Sequence, residues 1–131
     1  MIKLKQLEEY RFEHKMWLKK LEVLLLEIIL YRKRVTDIII KEPDRIILEQ
    51  IKYFYTYFQR KYEKITVLKI NIKQQEHTLS DINITNSENL SKYVIQKEEK
   101  MRDDIVKLEK VLILIEAKFD EYHKKIYGIR S

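Results

Sequence analysis

The side chains best equipped for chemistry are three histidines, His14, His77 and His123, and the adjacent carboxylates Glu98/Glu99 and Asp103/Asp104. Imidazole nitrogens and carboxylates bind zinc and iron, and paired carboxylates carry out general acid–base steps. A metal needs several such groups on one point. Helical di-iron centres supply them as Glu-x-x-His units on two helices, and the nearest approach here is a lone Asp120-x-x-His123. If the chain folds back at Pro43 and near residue 83, His14 comes level with Asn71 and Ile95. His77 then lies about six residues further along, roughly 9 Å away, and His123 falls at the opposite end. The histidines do not converge, and neither metal nor cofactor is expected. Glu98/Glu99 and Asp103/Asp104 sit among Lys97, Lys100 and Arg102, the pattern of a solvated face. The chain has no cysteine, no glycine-rich phosphate loop and no glycine-flanked serine, so the expectation is a protein that is not an enzyme.

A second constellation mixes aromatic and basic side chains. Tyr53, Tyr57, Arg60 and Lys64 follow one outer face at helical spacing, the ingredients of a single-strand nucleic-acid surface without its sheet platform. Phe54 and Phe58, in the same run, belong to the apolar seam. Arg32-Lys33-Arg34 and Lys124-Lys125 are read as cations near helix C-termini, where they complement the dipole.

The elements that position these groups are helices. One glycine, one proline and one alanine in 131 residues leave few turns, so regular structure must run long. Leu7, Tyr10, His14, Trp17, Leu21, Leu24, Ile28, Tyr31, Val35 and Ile38 recur in alternating steps of three and four, a heptad seam in which only His14 is neither apolar nor purely aromatic. A polar group there fixes register, stays hydrogen-bonded in the core or titrates near neutral pH; as a seam position, leucine in its place is expected to leave stability level or raise it. Pro43 ends helix 1 and, with Asp44, suits the first turn of helix 2. The second seam runs Ile47, Ile51, Phe54, Phe58, Lys61, Ile65, Leu68, Ile72, Gln75, Leu79, with two polar interruptions. Residues 65–73 also alternate like a strand at Leu68, Ile70 and Ile72; the unbroken three–four spacing favours helix. Ser80 to Ser87 is the clear loop, and Thr85 with Glu88 has capping-box spacing. The third seam runs Met101, Ile105, Leu108, Leu112, Ile115, Phe119, Tyr122, Ile126, with Gly128 as C-terminal cap and a weakly apolar first half.

The predicted fold is all-α: a long antiparallel three-helix bundle with coiled-coil-like heptad packing, one domain over 1–131. Helix 1 covers about 3–41, helix 2 about 43–79, the loop 80–87 and helix 3 about 88–127. Glu13-His14-Lys15-Met16-Trp17-Leu18, then residues 65–79 with Glu76-His77, then Met101-Arg102-Asp103-Asp104, resemble an uncharacterised family of small bacterial helical-bundle proteins. The resemblance covers most of the chain; it implies helices and assigns no activity and no functional residues.

The net charge of +6 is uneven: nine basic and six acidic groups in residues 1–40, eight and five in 41–80, ten and ten in 81–131. Abundant Lys, Ile and Tyr are equally a genome-composition effect, so the excess is not read as function. The most apolar stretch, Val23 to Tyr31, is broken by Glu27 and falls far short of the ~20 residues of a membrane span. With no apolar signal core of secretory length either, a cytoplasmic protein without a membrane partner is expected. The surplus over core needs is a second stripe on helix 1, Phe12, Met16, Val23, Leu26 and Leu30, broken only by Lys19, with Val106, Ile113 and Ala117 outside the seam of helix 3. Folding brings residues 23–30, 55–62 and 105–112 to one level, so the surplus forms a belt of the kind that marks association surfaces. The expected function is a protein–protein interaction or scaffold module, self-associating through helix 1 as a homo-oligomer. The alternative is a small nucleic-acid-binding or regulatory protein acting through its basic outer faces.

Overall fold

The computed structural model describes residues 2–82 and 88–128. Three α-helices account for nearly all of them: α1 (Leu4–Lys41), α2 (Arg45–Ile82) and α3 (Glu88–Tyr127). With 38, 38 and 40 residues they are each about 57–60 Å long at ~1.5 Å per residue, and they lie antiparallel in sequence order. No strand occurs among the described residues. Residues 65–73 are helical: Ile65, Leu68 and Ile72 are fully enclosed, whereas Ile70 is half exposed, so the three–four period prevails over the alternation.

The ends of the helices follow local chemistry. Glu42 leaves the helical region (φ −78°, ψ 118°) ahead of Pro43, as sterics at proline demand. Asp44 is the N-cap of α2 and not part of its first turn: its Oδ1 accepts from the Ile46 and Ile47 N–H groups at 2.8 and 3.2 Å, satisfying two orphan donors. Pro43 therefore stands before the cap. Gly128 has φ +74° and its N–H donates to the Lys124 carbonyl at 2.8 Å, the left-handed terminus open to glycine. Thr85, the proposed partner of Glu88 in a capping box, lies outside the described residues.

Two readings of the helices change. Arg32 and Arg34 are too far from Lys41, the end of α1, to serve its dipole, which acts only within the last turn. They tie helices together instead: Arg32 donates to Gln59 at 3.0 Å and covers the Tyr62 ring, and Arg34 meets Asp120 at 3.1 Å. The first half of α3, though weakly apolar, is also enclosed. Its seam extends back from Met101 through Glu98, Val94 and Ser91, all buried.

α1 packs most closely on α2, α3 next on α2, and α1 and α3 approach least. Cross-bundle pairs such as Lys69–Glu22 (2.7 Å) and Arg102–Glu13 (2.7 Å) fix the levels. The core has two parts. A long one joins Leu21, Ile28, Phe58, Leu68, Leu112, Phe119 and their neighbours; a short one at the loop end joins Ile2, Leu7, Tyr10, Leu79, Ile82 and Val94.

Candidate functional site

The helix 1 stripe faces outward along its length. Phe12, Met16, Val23, Leu26 and Leu30 are 65, 48, 57, 56 and 63% exposed, opposite the buried seam of the same helix. The surplus on α3 is likewise exposed at Val106, Ile113 and Ala117. Because α1 and α3 are the least closely packed pair, a groove opens between them, lined by Lys20, Val23, Leu24, Glu27, Glu109, Ile113 and Glu116. Val23 and Ile113 thus share one surface. The levels differ from the sequence estimate: Lys20 meets Glu109 and Tyr31 meets Asp120, so residues 23–30 stand beside about 112–119 and not 105–112. The belt survives through Ile113, while Val106 lies nearer the Met16 end.

The aromatic–basic face is assembled in part. The Tyr53 hydroxyl donates to the Tyr57 hydroxyl at 2.9 Å, and the rings meet edge-on at 4.7 Å. Tyr53 is exposed, and Arg60 lies close enough to act on its hydroxyl electrostatically. Tyr57 is half-buried against the core and Lys64 leans to Asp104 at 3.9 Å, so the four do not form a free row.

The grouping that sequence reasoning missed lies inside, where the polar seam residues His14 and Gln75 meet Glu98. His14 on α1, Gln75 on α2 and Glu98 on α3 are fully or almost fully enclosed at one level of the bundle. His14 Nε2 is 2.7 Å from Glu98 Oε1, and Gln75 Nε2 donates to Glu98 Oε1 at 3.3 Å and to the Val94 carbonyl at 2.9 Å. Glu76 Oε1 stands 3.3 Å from His14 Nδ1, a charge contact that misses hydrogen-bond geometry. At the edge Glu13 accepts from Arg102 Nη2 at 2.7 Å and from Arg102 Nε at 2.8 Å. Glu98 is therefore no member of a solvated face. The signal was its spacing, three residues before Met101 and four after Val94, a seam position occupied by a carboxylate.

Electrostatics favour the protonated forms of His14 and Glu98. Burial opposes charge on His14, but the hydrogen bond and charge of Glu98, aided by Glu76, outweigh it and leave the imidazole above its usual range. Burial pushes the Glu98 carboxyl up, and the His14 bond and charge only partly restrain it. Glu13 is also opposed by burial, yet Arg102 and its hydrogen bond with Glu98 hold it below the carboxylate range. His14 stands between two carboxylates with a different nitrogen toward each, which is an ion-pair geometry and not a coordination sphere. Among the described residues no group of three or more His, Asp or Glu side chains is placed to hold a metal ion. The expectation that leucine suits position 14 falls with this layer: it would strand Glu98 without its cation.

His123 is half-buried beside Phe119 and Tyr127, far along the bundle from His14, whereas His77 follows Glu76 and stands level with His14, not six residues further along, but is exposed on α2. Asp120, its supposed ligand partner, accepts instead from Tyr31 at 2.8 Å and Arg34 at 3.1 Å. No helix among the described residues is long and apolar enough to cross a membrane. No protein-family model, no curated protein and no solved structure matches the chain.

Proposed function

We propose that the protein is a non-enzymatic interaction or scaffold module of the cytoplasm that self-associates through α1. The observation that carries this reading is the ridge of Val23, Leu26 and Leu30, each more than half exposed on the helix face opposite a complete core seam. A helix in a solitary bundle places charge on that face. Lys19 and Lys33 bracket the ridge, giving an apolar centre with a charged rim, the anatomy of partner surfaces. A two-fold contact uses the same ridge on both copies, so each buried leucine counts twice, at roughly 1.5–3 kcal/mol apiece.

Leu26→Lys is the direct test. Lysine is a good helix former and position 26 is open, so each chain keeps its helix content while the pair separates. Sedimentation at matched concentration should show the wild type as a dimer and the variant as a monomer. A monomeric wild type removes the reading; an unfolded variant makes Leu26 part of a larger core. Binding to polynucleotide that collapses as salt rises would favour the aromatic–basic face instead, since phosphate contacts respond steeply to salt and apolar ones hardly do.

A further inference from the structure

α2 and α3 border a second groove, near the loop end of the rod, to which α1 contributes no lining residue. Its volume is about 540 Å³, within the roughly 300–1,000 Å³ of small-molecule sites. Ile70, Lys73, Gln74 and His77 line it from α2, and Tyr93 and Lys97 from α3. No carboxylate lines it. Elsewhere along the helix boundaries Lys69, Lys20 and Lys64 each have an acid opposite, at 2.7, 3.3 and 3.9 Å. Lys73 and Lys97 belong to no ion pair among the described residues. Lys97 is half-buried, and its ammonium donates to the Tyr93 hydroxyl at 3.1 Å. The acids of the neighbouring turns are placed elsewhere. Glu76 and Glu98 face His14, Glu88 leans to Lys92, and Asp81 stands one turn beyond His77, outside the lining.

We propose that this groove binds the phosphate of a nucleotide. Two ammonium groups facing one groove repel each other, and an anion between them turns that repulsion into attraction. A concavity lined by one sign of charge also concentrates counter-ions. Phosphate has the charge and the acceptor oxygens to take both lysines, the His77 ring and the Gln74 amide together, whereas a carboxylate has too few oxygens for that set. The base is argued from the rest of the lining. Tyr93 and Ile70 are 51 and 50% exposed beside the cations, an aromatic ring and an aliphatic side chain on which a flat ring can lie.

The site does not depend on self-association, which uses α1. It is also separate from the Tyr53 and Tyr57 face, since even Arg60 lies about 15 Å from Ile70 along α2.

Titration calorimetry of the full chain with adenosine diphosphate, adenosine and inorganic phosphate tests the site, with helix content recorded for every variant. Adenosine diphosphate should bind more tightly than either of its parts, and less tightly as salt rises. Lys73→Gln and Lys97→Gln should each weaken it about tenfold, the loss of one charge-assisted contact. Lys33→Gln makes the same change of net charge on α1 and should leave binding level. Lys73 is exposed, so its variant carries the test if Lys97→Gln does not fold. Tyr93→Leu should weaken the nucleotide more than inorganic phosphate. An oligothymidylate distinguishes the source of the phosphate: if it binds through Lys73 and Lys97 where adenosine diphosphate does not, the proposal holds with the nucleotide in a strand. No binding of either probe at millimolar concentration overturns the proposal, and so does a Lys33→Gln loss as large as that of the groove lysines. A Tyr93→Leu variant that weakens both ligands equally, or neither, overturns the assignment to a nucleotide.

Discussion

Glu98 is enclosed in the bundle with His14 and Gln75 on the same oxygen and the Glu13 carboxylate close by. A carboxylate so placed is tolerable only while His14 supplies a proton and a positive charge. Removing one member of a buried pair leaves the other uncompensated, at about 3–5 kcal/mol, whereas replacing both with apolar groups of similar size is neutral or stabilising. His14→Leu alone should therefore lower stability by that amount in urea unfolding, and His14→Leu with Glu98→Leu should recover it, since Gln75 keeps the Val94 carbonyl. A single variant as stable as the wild type would show that Glu98 is simply protonated in the fold. The pair also sets a pH dependence. Both groups are raised on folding, so what they contribute is complete below their unfolded values and is lost as pH rises through the folded ones. For His14 that loss begins above its ordinary 6.5. Glu116 adds a slope of the same sign up to about 7, and Glu13, lowered by Arg102, acts oppositely under acid conditions. The double variant keeps both of those, so its melting temperature should fall less than that of the wild type between pH 6.5 and 9.

At the scale of the helix, the period settles most of the structure and the caps settle its ends. Asp44 supplies α2 with the side-chain acceptor that its first N–H groups lack. Asp44→Ala should cost about 1 kcal/mol in thermal or urea unfolding, and Asp44→Asn almost nothing, because asparagine caps equally well. Equal stability of all three would mean that the turn at Pro43 holds the helix without its cap. The helices were legible because thirty-odd residues of three–four spacing leave no other way to bury Leu21, Ile28, Phe58 and Leu112 together. Glu98 was not, because a carboxylate flanked by Lys97 and Glu99 looks solvated until the seam is followed back past Met101 to Val94 and Ser91. Nor was the groove, for Val23 and Ile113 come onto one surface only through an offset between α1 and α3 that pairs such as Lys20–Glu109 reveal. The exposed ridge was legible for the opposite reason: it is a property of one helix and needs no partner level to be seen.

At the scale of the whole molecule, the polar layer divides the interior. His14, Gln75 and Glu98 lie between the long core and the short one, so apolar contact is interrupted near the loop end of the rod. The short core has six buried apolar side chains against fifteen in the long one. Each side chain contributes roughly 1.5–3 kcal/mol of burial, while ordering its backbone costs about 1–2 kcal/mol per residue, so the smaller cluster has little surplus of its own. Its attachment runs through the polar layer, and opening there exposes groups that water can solvate. The loop end should therefore open as a unit before the rest, with the amides of residues 5–11 and 90–97 exchanging at lower free energy than those of 21–35 and 105–119. Native-state hydrogen exchange at several denaturant concentrations would measure both classes. In the variant carrying His14→Leu and Glu98→Leu the two cores become continuous, and the gap between the classes should narrow. Uniform protection along all three helices of the wild type would sink the idea, and so would a gap that the apolar layer leaves unchanged, because the boundary would then owe nothing to His14 and Glu98.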